Sequence, residues 1–130
     1  MSNHQLAFLL ARITLGINFF LHGLVRTPKI NAFTSGLTKG FESTMLPLSL
    51  VRSIAYAIPF IEIFLGAFII LKLASKKTLA ATAIFIMMLI AGCAFKEDWS
   101  AVSTQMLYAL FVFLLLNNLK YEVWTVKTSS

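Results

Sequence analysis

Residues 54–73 read IAYAIPFIEIFLGAFIILKL, twenty residues that are almost entirely apolar and carry one carboxylate, Glu62, near the middle. A helix rises ~1.5 Å per residue, so this length matches the ~30 Å hydrocarbon core of a bilayer. The stretch is therefore predicted to be a transmembrane helix. Because an ionised group at mid-membrane costs on the order of 3 kcal/mol, Glu62 is expected to face protein and to have a partner.

The face of this helix that carries Glu62 also carries Ala55, Pro59, Gly66 and Ile69, at offsets of three, four and seven residues. Small residues let the backbone of another helix approach closely in a membrane. The other spans are therefore expected to pack around this face.

The composition extends this prediction to the whole chain of 130 residues, which is 58% hydrophobic and only 12% charged. Soluble domains carry about 25% charged residues, so the chain is predicted to be an integral membrane protein. Apolar segments long enough to cross a bilayer lie at residues 6–25, 54–73, 78–95 and 101–119. The predicted fold is all-α, a single domain over 1–130 that forms an up-down bundle of four transmembrane helices.

The connection between the first two spans, residues 26–52, carries a helical repeat of its own. Its apolar positions are Ile30, Phe33, Leu37 and Phe41, and they lie opposite the polar positions Asn31, Ser35, Lys39 and Glu42. Two interpretations remain open: an amphipathic segment that lies at the membrane interface or acts as a lid, or a solvated loop that only joins two spans.

The charge distribution favours lipid over nucleic acid as the partner. The net charge is +6, but the eleven Lys and Arg residues are spread over the ends of the spans without a basic block or a recognition motif. Lipid headgroups account for such a pattern. The positive-inside rule, applied to the dense group Lys72, Lys76 and Lys77, predicts that both termini are cytoplasmic.

The first span contains three groups that are unfavourable in lipid: Arg12, Asn18 and His22. Depths estimated at ~1.5 Å per residue bring Arg12 within reach of Glu62, and a guanidinium is well shaped to bind a buried carboxylate. An ion pair between Arg12 and Glu62 is therefore predicted. Alternatively, Arg12 snorkels to the nearer headgroups, or the pair serves only to fix the register of two helices.

Polar groups of the fourth span fall at a similar depth. Gln105 and Tyr108, together with Asn18 and His22, are predicted to line a polar pocket that opens toward the long connection. The alternative for His22 and Tyr108 is an ordinary role in helix packing. Haem and metal sites are not predicted, because the two histidines belong to opposite ends of the first span and the chain has one cysteine, Cys93.

The segments LARITLGINFFLHGLVRTPKI and LPLSLVRSIAYAIPFIEIFLGAFIIL resemble the DoxX family of small four-helix membrane proteins. The residues that carry the resemblance are an arginine, a glycine and a His-Gly pair in the first span and a glutamate followed by a glycine in the second: Arg12, Gly16, His22, Gly23, Glu62 and Gly66. The resemblance covers about the first 75 residues.

What the resemblance implies is membrane redox chemistry in a bacterial inner membrane. The related DoxD type is a subunit of thiosulfate:quinone oxidoreductase, and other members are thought to act with oxidoreductase partners. A quinone is the implied ligand. From the polar side chains and their depths, Glu62, Arg12 and His22 are expected to take part in the reaction, and Asn18, Gln105 and Tyr108 to bind the ligand. A redox role requires another membrane or redox subunit, because no electron carrier is encoded.

The sequence is therefore compatible with three functions. The first is a quinone-interacting or accessory subunit of a membrane oxidoreductase. The second is a small homo-oligomeric transporter in which Glu62 exchanges a proton against substrate. The third is a structural membrane subunit in which the buried ion pair only specifies packing.

Overall fold

The computed structural model describes residues 1–122. These residues form five α-helices and no strand. The helices are α1 (Asn3–Arg26), α2 (Ile30–Gly40), α3 (Leu48–Ile70), α4 (Ser75–Phe95) and α5 (Trp99–Asn117), with short 3-10 turns at Thr27–Lys29 and Leu119–Tyr121. Four candidate membrane spans contain α1, α3, α4 and α5, by length and hydropathy. The predicted all-α bundle of four membrane-spanning helices is confirmed.

The bounds of the second span differ from the prediction. Its helix, α3, begins at Leu48 and ends at Ile70, whereas the apolar stretch runs from 54 to 73. Pro47 precedes the first turn with a backbone φ of −62°, which suits the start of a helix. Hydropathy missed this turn because Ser49 and Arg52 are polar, although polar residues are compatible with a helix that extends past the hydrocarbon.

Glycines bring α1 and α3 into direct backbone contact. A Cβ atom on Gly23 would lie 2.2 Å from the carbonyl oxygen of Pro59, and one on Gly66 would lie 2.4 Å from the backbone nitrogen of Phe20. These distances leave room for hydrogen only, so the two helices are held at the closest separation that their backbones allow. The contact also fixes their antiparallel register.

The remaining helices pack as a second pair, with α4 along α5, and the two pairs touch each other less extensively. The buried apolar core between them includes Leu15, Phe19, Leu79, Ile86, Val112 and Leu115. Large apolar side chains elsewhere point outward, as expected of a surface that faces lipid. The looser contact between the pairs leaves room for cavities.

Residues 30–40 form the amphipathic helix α2, which packs onto the bundle. Phe33 and Leu37 pack against the core, and Phe41, just beyond the helix, is 5% exposed. The hydroxyl of Tyr56 in α3 donates to Oδ1 of Asn31 at 3.0 Å, which ties α2 to α3. The helical interpretation of the connection is confirmed, and the solvated-loop alternative is wrong.

The two ends of the described chain meet at one end of the bundle. The ring of His4 stacks on that of Tyr121, with centroids 4.8 Å apart. Ser75, in the first turn of α4, donates a hydrogen bond to Glu122 at the same end. Residues 4, 75 and 122 therefore lie at the same end of the bundle. That this end faces the cytoplasm stays a prediction.

Candidate functional site

The centre of the site is Glu62, which lies on the face of α3 that packs toward α1. Its side chain is 6% exposed, and Oε1 accepts a hydrogen bond of 2.9 Å from Nη1 of Arg26, the last residue of α1. The guanidinium of Arg26 also lies over the ring of Phe33 in α2, 4.6 Å from its centroid. This cation–π contact places Arg26 between α2 and α3. The ion pair joins α1 to α3, and the contact of Arg26 with Phe33 joins both to α2.

The predicted ion pair between Arg12 and Glu62 is wrong. Arg12 is 3% exposed, and its Nη1 donates to the backbone carbonyls of Ile69 at 2.6 Å and Ile70 at 2.8 Å. These carbonyls belong to the last turn of α3, where no further turn of helix supplies donors and the helix dipole favours a cation. Snorkelling to lipid headgroups is also excluded by this burial. Arg12 caps α3 and lies away from Glu62.

The register of α1 against α3 explains the error. Gly23 lies against Pro59 and Ile63, which places Glu62 level with the last turns of α1. The depth estimate had aligned the ends of the apolar stretches, but α3 starts six residues before its apolar stretch. A signal for the correct register was present in the glycines, because aligning Gly16 with Gly66 puts Glu62 level with Phe20, nearer along α1 to Arg26 than to Arg12.

A cavity of about 350 Å³ opens beside the ion pair, between the two helix pairs and beneath α2. Five predicted site residues line it together: Asn18 and His22 from α1, Glu62 from α3, and Gln105 and Tyr108 from α5. Arg12 is absent from its described lining. Sequence analysis missed Arg26, Lys96 and Asp98, which also line the cavity. Arg26 follows His22 by four residues, so the two side chains lie on the same face of α1. This spacing could have predicted from the sequence that Arg26 lines the cavity.

Hydrogen bonds define what the cavity offers to a ligand. His22 donates from Nδ1 to the backbone carbonyl of Asn18 at 2.6 Å, so Nε2 of the neutral ring is left as an acceptor. The ring of Tyr108 meets that of His22 edge-on, with centroids 6.5 Å apart. Gln105 donates from Nε2 to Sγ of Cys93 at 3.5 Å, whereas its buried Oε1 has no partner among residues 1–122.

The described residues contain no group of three or more His, Cys, Asp and Glu side chains that could hold a metal ion. His4 stacks on Tyr121 at the end where the chain begins, while His22 lines the cavity with Glu62. The cavity is thus a site of hydrogen-bonding groups and charges in an apolar bundle.

A family model described as DoxX matches residues 7–97, which run from the first turns of α1 through α4. The chain belongs to the DoxX family. No curated protein and no solved structure matches it significantly. The match extends past the first 75 residues on which the resemblance was based and ends before α5, so Gln105 and Tyr108 lie outside it.

Within this DoxX chain, the residues that carried the resemblance have distinct structural tasks. The glycines Gly16, Gly23 and Gly66 form the backbone contact between α1 and α3. Arg12 caps α3, and Glu62 is the buried member of the ion pair beside the cavity. The resemblance therefore rests mainly on the interface that positions the cavity.

Proposed function

We propose that this DoxX protein is a quinone-binding accessory subunit of a membrane oxidoreductase, with the quinone headgroup in the polar cavity. The observation that carries the proposal is a polar cavity of about 350 Å³ inside an apolar bundle, next to a buried carboxylate. Its volume lies at the lower end of the ~300–1,000 Å³ typical of small-molecule sites. A headgroup of one ring suits that space.

The groups that line the cavity suit both forms of such a ligand. The oxidised ring has two carbonyl oxygens, which need donors, and the hydroxyl of Tyr108 and the amide of Asn18 supply them. The reduced ring has two hydroxyls, which need acceptors. Nε2 of His22 and the unpartnered Oε1 of Gln105 supply those. The orphaned buried oxygen of Gln105 is the strongest local sign of a ligand, because such atoms are rare in folded proteins.

Oxidation of the bound quinol releases two electrons and two protons. In this proposal one proton passes from a ring hydroxyl to Nε2 of His22 and the other to the carboxylate of Glu62, which lines the same cavity beside Arg26. The two electrons pass to a redox centre in a partner subunit, since this chain has one cysteine and its two histidines lie at opposite ends of α1.

Quinone binding to the purified protein in lipid nanodiscs tests the proposal. A short-chain benzoquinone is the probe, and its occupancy is read by native mass spectrometry. Replacement of His22 by Phe or of Gln105 by Leu removes one polar group and is expected to weaken binding about tenfold each, or ~1.4 kcal/mol. Ser103→Ala, on the exposed side of α5, is the matched control and is expected to bind as the parent does.

Unchanged binding in both cavity variants, or no binding by the parent, would reject the proposal. Proton-coupled flux into liposomes that is lost on Glu62→Gln would instead identify a transporter. A buried pair that adjoins no cavity would favour the structural-subunit alternative, and the cavity of about 350 Å³ beside Glu62 argues against it.

A further inference from the structure

A second cavity, of about 240 Å³, lies between α3 and α4 beneath the segment that follows α2. Its described lining is apolar apart from Cys93 and the charged Lys96. It includes side chains of α2, of the segment that follows α2 and of α3: Leu37, Phe41, Leu46, Val51, Ile54 and Ile58. The ammonium of Lys96 lies 5.4 Å from the centroid of the Phe41 ring, at the edge of the cavity. We refer to this space as the apolar cavity and to the one beside Glu62 as the polar cavity.

The two cavities adjoin each other across a common wall. Five residues line both of them: Leu37, Ile58, Leu89, Cys93 and Lys96. Three of the five are aliphatic. Hydrogen-bonding groups and an apolar lining therefore lie on the two sides of one layer of side chains.

The apolar cavity also reaches the surface that faces lipid. Leu50 and Phe95 line it and are each 51% exposed, and Met88 lines it and is 38% exposed. These side chains mark an opening between α3 and α4. Methionine is flexible enough to let such an opening change shape. A molecule dissolved in the bilayer can thus enter sideways.

We infer that the apolar cavity holds the hydrocarbon chain of the ligand whose headgroup lies in the polar cavity, and that the opening at Leu50, Met88 and Phe95 is its entrance from the bilayer. The inference rests on the proposed function. It specifies the ligand class as a quinone with a prenyl chain rather than a water-soluble quinone. The five lining residues that the two cavities share favour one amphiphile across both over a phospholipid chain in the apolar cavity alone.

Gly92 offers a means of filling the apolar cavity. A Cβ atom at Gly92 would meet Cζ of Phe41 at 3.5 Å, an ordinary contact, and the longer side chain of Gly92→Leu would extend into the space beyond it. The matched control is Gly36→Leu, because a Cβ at Gly36 meets no described atom within 4 Å. A second pair on one helix is Ala91→Phe, which lines the cavity, against Ala81→Phe, which is exposed elsewhere on α4.

The experiment compares two probes at equal mole fraction in lipid nanodiscs, a benzoquinone without a chain and one with a prenyl chain of two isoprenoid units. Native mass spectrometry measures the bound fraction. Gly92→Leu and Ala91→Phe are expected to weaken binding of the prenylated probe about tenfold, because the added side chain occupies the space of the hydrocarbon chain. Binding of the chainless probe is expected to stay unchanged, as is binding of both probes to the two controls.

The outcomes separate this inference from the proposed function. If the parent binds both probes and the cavity-filling variants retain the prenylated one, the inference is overturned while the proposed function stands. If those variants lose a co-purified phospholipid and retain the prenylated probe, the apolar cavity is a lipid site and the inference is likewise overturned. If the parent binds neither probe, both are overturned.

Discussion

At the scale of single residues, two arginines of one helix have opposite tasks. Arg12 donates to the terminal carbonyls of α3, while Arg26 binds the carboxylate of Glu62. Both arrangements supply a buried group with a charged partner, which is why each arginine is tolerated in an apolar bundle. The side-chain type alone does not distinguish them.

Removal of Arg26 is expected to destabilise the protein because Glu62 is left buried without its cation. For Arg26→Met we expect a loss of about 2 kcal/mol in the free energy of unfolding, below the ~3–5 kcal/mol of a fully buried pair, because the Arg26 side chain is 35% exposed. Reversible denaturation in detergent measures it. In a Glu62→Gln background the same substitution is expected to cost less than half as much; equal costs in both backgrounds would show that the pair is not formed.

Arg12 is expected to contribute independently of Glu62. Arg12→Met removes the guanidinium that donates to the carbonyls of Ile69 and Ile70 and is expected to cost about 2 kcal/mol, as for a buried hydrogen bond to a charged group. The same denaturation measurement gives the same loss with Glu62 or Gln at position 62. A cost that depends on residue 62 would restore the ion pair that the sequence had suggested.

At the scale of elements, the interface of α1 and α3 decides the site. Its glycines let the backbones touch, and the resulting register places the end of α1 beside the middle of α3. The helix α2 then covers the cavity through Phe33 and Leu37. Periodicity predicted α2 and its buried side from the sequence, because amphipathicity is a local property.

Gly66→Ala is expected to lower the free energy of unfolding by about 3 kcal/mol, at the upper end of the range for overpacking, because the new Cβ would meet the backbone of Phe20 at 2.4 Å. The control Gly36→Ala adds a methyl group where no described atom lies within 4 Å of it. That control is expected to stabilise α2 by up to ~1 kcal/mol, since alanine favours a helix more than glycine does. Similar effects of the two substitutions would contradict the backbone contact; thermal unfolding in detergent measures both.

At the scale of the whole molecule, the described chain crosses between two ends of a bundle. His4, Ser75 and Tyr121 lie near one end, and α2 with the turn between α4 and α5 lies at the other. The lysine-rich turn at the first end is the basis for placing both termini in the cytoplasm.

Thiol labelling of intact cells tests that orientation. In a Cys93→Ser background, Lys39→Cys and Glu97→Cys are expected to react with an impermeant maleimide added outside, whereas Asn3→Cys and Lys77→Cys are expected to react only after lysis. All four positions are exposed in the fold. The reverse pattern would invert the topology, and a split within either pair would contradict the four-span arrangement.

The sequence by itself determined the four membrane spans, the amphipathic helix between the first two, and five of the side chains that line the polar cavity. Hydropathy, helical period and the cost of burying polar groups act along one helix, so they can be read from neighbouring residues. Only the tertiary structure decided that Arg26, and not Arg12, binds Glu62, and that an apolar cavity adjoins the polar one. The first depends on the register between α1 and α3, which backbone contacts at glycines set; a slip of one turn moves a side chain by ~5.4 Å, enough to exchange one partner for another. The second depends on how α4 and the segment after α2 pack on α3, which involves residues far apart in the sequence.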